Sequence, residues 1–185
     1  MASAMYEVET KVPADLAAVR TQLDELGATR ERTVVQADTY YDAPHREFVE
    51  TDEALRIRRE STPEAGTDET CVTYKGPLLD GESKSREEFE TAVGDGETMD
   101  AILTNLGFAP AATVRKERER FALEGYTITL DAVDDVGEYV EVETDVEAES
   151  DLEAAREGAY DVLEQLGLEP DDQLRTSYLG LLLES

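Results

Sequence analysis

Polar and apolar residues alternate with a period of two along most of the chain. Successive side chains of an extended strand point to opposite faces, so this alternation predicts strands with one apolar and one polar face. With the longer extended segment TRERTVVQADTYYDA (29–43), the pattern predicts about eight strands, mostly in neighbouring hairpins. The alternating segments are YEVETKV (6–12), EALRIRRE (53–60), TCVTYKGPL (70–78), SKSREEFETAV (83–93), VRKERERFAL (114–123), YTITLDAV (126–133) and GEYVEVETDV (137–146).

Four segments have the apolar spacing of helices instead. Pro13 is suited to the first turn of the first helix, and Ser150 with Glu153 has the spacing of a capping box in the third. Polar residues between the strands predict turns near Asp80, Glu124 and Asp134, and a loop over 61–69. The helical segments are PADLAAVRTQLDELGA (13–28), GETMDAILTNLGF (96–108), SDLEAAREGAYDVLEQLGL (150–168) and LRTSYLGLLLES (174–185).

Composition favours one folded domain over 1–185, because the 185 residues are 40% hydrophobic and show no internal linker. The formal net charge of −28 argues against nucleic acid and anionic membranes as partners. Only four of the 17 basic residues are lysines, a bias that favours adaptation to molar salt, where screening makes self-repulsion tolerable. Without a long apolar run or an export leader, we expect a cytoplasmic protein. The residues before Met5 are expected to be a disordered start or an alternative initiation region.

The polar faces of the predicted strands carry charges of both signs, although the rest of the chain is strongly acidic. All four lysines lie on these faces. An antiparallel sheet with one solvated face would show the same alternation. The even mixture favours an enclosed surface, where charges must be paired or must bind something. We therefore predict an α+β fold, an eight-stranded antiparallel β-barrel whose interior is a polar tunnel and whose apolar outer face carries flanking helices. The residues concerned are Glu7, Glu9, Glu88, Glu90, Asp131, Glu141, Glu143, Lys11, Arg56, Arg58, Lys75, Lys84, Arg86, Lys116 and Arg118.

Paired carboxylates two residues apart on one strand suggest a metal site. Glu7 and Glu9 form one such pair, and Glu141 and Glu143 form another. Carboxylates in a confined site favour a hard divalent cation such as Mg²⁺ or Mn²⁺. The neighbouring lysines and arginines then require anionic oxygens, which a metal-bound polyphosphate would supply. An ion-paired interior without any substrate remains the alternative.

The segment Glu7-x-Glu9-x-Lys11 resembles the ExExK signature of the CYTH domain, the triphosphate tunnel family. Because TDEALRIR, YKGP and SREEFE look most like the class IV adenylyl cyclase branch, the resemblance implies an enzyme that converts ATP to cyclic AMP and pyrophosphate. It covers essentially the whole chain. Further matching segments follow in order: DTYYD (38–42), TDEALRIRR (51–59), TYKGP (73–77), SREEFE (85–90), KER (116–118), LD (130–131) and YVEVE (139–143).

The resemblance also implies a role for each site residue. Divalent metal would be held by Glu7, Glu9, Asp131, Glu141 and Glu143. Triphosphate would be bound by Lys11, Arg56, Arg58, Lys75, Lys116 and Arg118. The tunnel would be supported by Arg86, Glu88 and Glu90. Catalytic contributions would come from Lys11, Lys116, Tyr40 and Tyr41.

Two other functions stay open on the sequence alone. The same groups would serve a triphosphate hydrolase acting on tripolyphosphate or thiamine triphosphate, or a non-catalytic binder of phosphorylated ligands. For Lys84, Arg86 and Glu90, solvated positions near a strand end are as compatible with the pattern as functional ones. Arg120 and His45 are expected to be peripheral, and Cys71 to serve packing. The LGLLL run (179–183) would pack on the barrel or on the second subunit of a homodimer, which the resemblance suggests.

Overall fold

The computed structural model describes residues 5–185, and residues 1–4, with the expectation placed on them, lie outside the described residues. The strands are β1 (Met5–Pro13), β2 (Thr29–Asp42), β3 (Ala54–Thr62), β4 (Thr67–Lys75), β5 (Lys84–Ala92), β6 (Ala109–Leu123), β7 (Tyr126–Val133) and β8 (Gly137–Val146). The helices are α1 (Leu16–Glu25), α2 (Phe48–Thr51), α3 (Gly96–Asn105), α4 (Leu152–Gln165) and α5 (Tyr178–Glu184), with short 3₁₀ turns at Glu149–Asp151 and Pro170–Asp172.

The strands form one closed antiparallel barrel in the order β1-β5-β4-β3-β2-β6-β7-β8, and β8 pairs with β1 to complete it. The eight-stranded barrel with flanking helices predicted from the alternation is thereby confirmed. Closure matters because it leaves no unpaired edge and because it separates an inner face from an outer face.

Apolar residues on the outer face of the barrel form the main core beneath α1 and α4. Leu23 of α1 and Leu163 of α4 are fully buried against Ile128, Leu130 and Val142 of the barrel wall. Each such side chain contributes about 1.5–3 kcal/mol when it is removed from water. The hydrophobic core therefore lies outside the barrel, which leaves the interior to the charged faces.

Cross-strand register sets which interior side chains meet. Glu9 lies opposite both Glu143 of β8 and Lys84 of β5, and Lys11 lies opposite Glu141. The end of the barrel that carries Lys11 is covered by α5, whose leucines pack against an apolar cluster around Tyr40. The LGLLL run thus packs on the barrel end, and the homodimer stays a prediction. Among the helices of residues 5–185, none combines the length and apolarity needed to cross a bilayer.

Several predicted boundaries are wrong, each for a local reason. Pro13 ends β1, and Asp15 caps α1 instead, accepting hydrogen bonds from two backbone amides of the first turn. The predicted capping box is absent, because a 3₁₀ turn at Glu149–Asp151 precedes α4 and no side chain caps its first turn. The polar segment 61–69 lies mostly within β3 and β4, since barrel pairing outweighs its weak strand propensity. The turns at Glu124 and Asp134 are confirmed.

Candidate active site

The barrel encloses a cavity of about 950 Å³ lined by the charged faces of the strands. All four lysines are buried, Lys11 and Lys116 at 2% exposure, Lys84 at 4% and Lys75 at 7%. The arginines predicted for the interior are buried as well: Arg56, Arg58, Arg86 and Arg118. These groups therefore do not form a solvated sheet face. Among residues 5–185, every buried base except Arg156 of α4 lines this one enclosed space.

Three acids of the interior form a compact cluster. Carboxylate oxygens of Glu7, Glu9 and Glu143 lie within 4.8 Å of one another. Burial, the charge of Glu141 and the charge of Glu9 raise the pKa of Glu143 to about 7, against a partial lowering by Arg118. Burial also raises the pKa of Glu7 well above its usual value, although the ammonium of Lys75 opposes the shift. Burial also raises the pKa of Glu9, but the charges of Lys75, Lys11 and Lys84 outweigh it and the net shift is downward. Three clustered carboxylates, two of which resist ionisation, gain from a divalent cation, so the donor set fits Mg²⁺ or Mn²⁺.

Lys75 supplies positive charge at this cluster. Its ammonium forms an ion pair with Glu7 and a second one, at 3.1 Å, with Glu88. Burial lowers the pKa of Lys75, but the two carboxylates outweigh it and the net shift is upward. The ammonium is therefore held in its charged form between the acidic cluster and the open cavity.

Asp131 and Glu141 are not part of this three-acid cluster, although the family resemblance implied that all five acids hold metal. Asp131 accepts two hydrogen bonds from Arg118, at 2.7 and 2.6 Å, and one from the Tyr178 hydroxyl at 2.7 Å. Glu141 accepts from the same guanidinium at 2.8 Å. A bidentate pair of this kind satisfies most of the acceptor capacity of Asp131. In this geometry both acids orient Arg118.

Asp38 is a central interior residue that was absent from the predicted site. It is fully buried, accepts two hydrogen bonds at 2.7 Å from Arg58 and a third at 3.0 Å from Lys116, and lies 3.8 Å from Arg56. Burial alone would raise the pKa of Asp38, but these cations hold it well below its usual value. Strand alternation could have found Asp38, because Gln36, Asp38 and Tyr40 share the inward face of β2.

Three interior cations lack a close carboxylate partner. Among residues 5–185, no acid forms an ion pair with Lys11, Lys84 or Arg86, and Arg86 donates to the backbone carbonyl of Asp52. Burial and the nearby Lys11 lower the pKa of Lys84 to about 8. Arg56 has only its 3.8 Å contact with Asp38, and its buried Nε has no acceptor among the described residues. Buried cations without a close ion pair are costly, so this side of the cavity is suited to an external anion.

The two tyrosines predicted to act at the site lie on different faces of β2. Tyr40 packs inside the barrel end with Val114 and Tyr178. A register shift follows Tyr40, and Tyr41 packs with Ile57 and Leu103 beneath α3, where its hydroxyl donates to Asp100. Strand alternation separates the two side chains, since Tyr40 shares the inward face of Asp38, whereas the family resemblance had implied both tyrosines.

The structure separates the residues whose burial the sequence left open. Lys84 and Arg86 are buried in the interior, whereas Glu90 is exposed and accepts a hydrogen bond from Thr73 at 2.7 Å. Arg120 pairs with Glu60 at 2.9 Å, on the opposite side of the barrel from the acidic cluster. His45 lies in an exposed loop, with its ring edge toward Phe108. Cys71 is half-buried on β4.

Comparison with known proteins agrees with this architecture over nearly the whole chain. A protein of Methanocaldococcus jannaschii, provisionally named an adenylate cyclase, is 37% identical over 178 residues, or 96% of this chain and 98% of that protein. A solved structure from Pyrococcus horikoshii OT3 is 39% identical, with a TM-score of 0.89 and coverage of 96% of this chain and 98% of that one.

A more distant structure shows the fold alone. It comes from Hippeastrum, is 18% identical with a TM-score of 0.65, and covers 97% of this chain and 95% of that one. That protein is described as provisionally an adenylyl cyclase with a dominant triphosphatase activity. The sequence model of the CYTH domain matches residues 5–178. With that match, the closed barrel and its charged interior, the chain belongs to the CYTH domain family.

Proposed function

We propose that the chain is a divalent-metal-dependent enzyme that acts on a triphosphate inside the barrel, with ATP cyclisation to cyclic AMP and pyrophosphate as its reaction. The observation that carries the proposal lies within one cavity: a three-carboxylate cluster stands beside buried cations that form no ion pair with an acid of residues 5–185. In a metal-bound triphosphate, the metal supplies positive charge to the carboxylate cluster and the phosphates supply negative charge to the buried cations.

The acidic cluster is the proposed metal site. Glu7, Glu9 and Glu143 would hold Mg²⁺ or Mn²⁺, which when bound neutralises phosphate oxygens and stabilises the nucleophile or the leaving group. Lys75 would then exchange its ion pair with Glu7 for contact with a phosphate oxygen. Asp131 and Glu141 are proposed to orient Arg118, and a ligand role for them would require Arg118 to leave.

The cations would bind and align the phosphate chain. Among residues 5–185, Lys11 and Lys84 face the cavity without an ion pair, and Arg56 has only its 3.8 Å contact with Asp38. Arg58 and Lys116 are fixed by Asp38, so each presents its positive charge at a defined position. Preorganised charge of this kind lowers the cost of aligning the nucleophile with the phosphorus under attack.

The choice of cyclisation rests on the form of TDEALRIR, YKGP and SREEFE and on the name of the Methanocaldococcus relative. Triphosphate hydrolysis is the second candidate, because the same interior groups serve it and because a protein of the same fold is described with that activity. The two reactions differ in the phosphorus attacked, with the α-phosphorus facing a ribose oxygen in one and the terminal phosphorus facing water in the other.

One assay separates these functions. The protein is incubated with ATP, thiamine triphosphate or tripolyphosphate at high salt, with Mg²⁺ or Mn²⁺, and with chelator as control. Cyclic AMP with equimolar pyrophosphate supports the cyclase. Orthophosphate release without cyclic AMP supports the hydrolase. Saturable binding without turnover supports a binder, and neither binding nor turnover overturns the whole proposal.

We also propose molar salt as the working medium. The acidic exterior is almost free of lysine, because all four lysines are in the barrel interior. At about 1 M salt the Debye length is about 3 Å, so repulsion among surface carboxylates is largely screened. The free energy of unfolding is therefore expected to rise with KCl concentration, and a salt-independent value would contradict this.

A further inference from the structure

Tyr178 is the first residue of α5, and its side chain enters the barrel from the covered end. It is only 5% exposed, and its hydroxyl donates to Asp131 Oδ2 at 2.7 Å. Its ring packs on Tyr139, with centroids 5.4 Å apart. Tyr178 was not among the predicted site residues, because a single tyrosine before an apolar run looks like part of a packing face.

Two interior lysines share the ring of Tyr178. Lys11 Nζ lies 4.4 Å from the ring centroid, and Lys116 Nζ lies 5.4 Å from it. An ammonium within about 6 Å of an aromatic face is stabilised by the ring quadrupole, most strongly where water is excluded. This stabilisation leaves the full positive charge of the ammonium in place, unlike an ion pair.

Lys11 would be expected to pair with an acid. Its cross-strand partner is Glu141, and two residues on one face of neighbouring strands are usually in contact. Glu141 instead accepts a hydrogen bond from Arg118, and no carboxylate among residues 5–185 forms an ion pair with Lys11. Asp131 is engaged by Arg118 and by the Tyr178 hydroxyl. Glu9, two residues from Lys11 on the same face of β1, forms no ion pair with it among the described residues.

We propose that Tyr178 is a positioning residue that keeps Lys11 out of ion pairs with the interior acids and available to a phosphate chain. The ring stabilises the ammonium in place, and the hydroxyl occupies the Asp131 oxygen that would otherwise attract it. The C-terminal helix thereby acts on the anion-binding wall of the cavity through one side chain. This inference rests on the proposed triphosphate site and assigns to it a residue outside the ExExK strand.

The test measures binding of inorganic tripolyphosphate by titration calorimetry at constant salt. Tyr178→Leu removes ring and hydroxyl, so Lys11 is expected to fall onto Glu141 or Asp131 and the affinity to drop about tenfold. Tyr178→Phe retains the ring, so its affinity for tripolyphosphate is expected to stay close to that of the wild type. Tyr160→Leu is the matched control, because Tyr160 lies on α4 outside the barrel, where its hydroxyl contacts the Glu82 carbonyl. It should bind as the wild type does.

A double-mutant cycle separates positioning from general loosening of α5. If Tyr178 acts through Lys11, then Tyr178→Leu should cost little further affinity in a Lys11→Met background. An additive loss in that background, or equal affinities of wild type and Tyr178→Leu, would overturn the inference. Failure of the wild type itself to bind tripolyphosphate would overturn the proposed function instead, so the two failures are distinguishable. Melting temperatures confirm that each variant is folded.

Discussion

Glu9 of β1 and Glu143 of β8 are direct cross-strand partners, with carboxylates on the same interior face and in the same acidic cluster. Like charges placed opposite each other destabilise a sheet. The pairing is held by the barrel around it, with Glu7 and Lys75 adjoining. The fold therefore holds two mutually repelling carboxylates at a point where a divalent cation would relieve the repulsion. Substitutions in the cluster and added metal test this relationship.

Glu9→Gln is expected to abolish turnover while keeping the fold. The substitution removes one anionic ligand from the cluster, and loss of such an electrostatic contribution costs about 100-fold or more in rate. Turnover and calorimetric titration with Mn²⁺ measure the effect, and circular dichroism checks the fold. Wild-type rates in this variant would contradict the metal assignment.

Mg²⁺ or Mn²⁺ is expected to raise the melting temperature of the wild type. At about 100 times the dissociation constant, a ligand specific to the folded state stabilises it by about 2.7 kcal/mol, or roughly 5–10 °C for a chain of this size. Glu143→Gln should show little metal shift. Without metal it should melt above the wild type, because the repulsion with Glu9 is gone. A metal shift of equal size in both proteins would place the site elsewhere.

Asp38→Asn is expected to destabilise the protein by about 3–5 kcal/mol, because it leaves Arg58 and Lys116 buried without their counter-charge. Urea unfolding at constant salt measures the change. Asp134→Asn is the matched control, since Asp134 pairs with Arg115 at 3.2 Å with both side chains more than half exposed. The free energy of unfolding of Asp134→Asn should fall by less than about 1 kcal/mol. Similar losses for the two variants would contradict the central role of Asp38.

Tripolyphosphate affinity is expected to fall as the pH rises through about 8. Burial lowers the pKa of Lys116 to about 8 despite the opposing charge of Asp38, and burial with Lys11 lowers the pKa of Lys84 to about 8. Both amines are charged below that pH and neutral above it. Each amine that loses its proton gives up a charged contact with tripolyphosphate, which lowers the affinity about tenfold.

The arginine variants test this pH dependence. Lys84→Arg and Lys116→Arg keep their charge throughout, because a guanidinium does not lose its proton in this range. Their affinity should therefore fall less between pH 7 and 9.5 than that of the wild type. Calorimetry at constant ionic strength gives the profiles. Parallel profiles for wild type and both variants would rule out these lysines as the cause.

Much of the interior could be predicted from local pattern. The alternation in TCVTYKGPL and GEYVEVETDV assigned Lys75 and Glu141 to the charged faces, and all four lysines proved to be buried there. Strand alternation is a property of neighbouring residues, so it needs no knowledge of the fold. Mixed charge in a chain with net charge −28 then favoured an enclosed interior over a solvated face.

Pairing within the interior depended on barrel closure and register. Arg118 forms ion pairs with Asp131 and Glu141, whereas Lys75 forms one with Glu7. The family resemblance had implied the same metal-binding role for these three acids. Tyr178 of α5, far from the strands in the sequence, reaches the barrel interior. Which charges neutralise each other is a matter of ångström separations between distant segments. Residue order along the chain therefore predicted the groups present, and only the closed barrel decided which of them remain available to a metal or a phosphate.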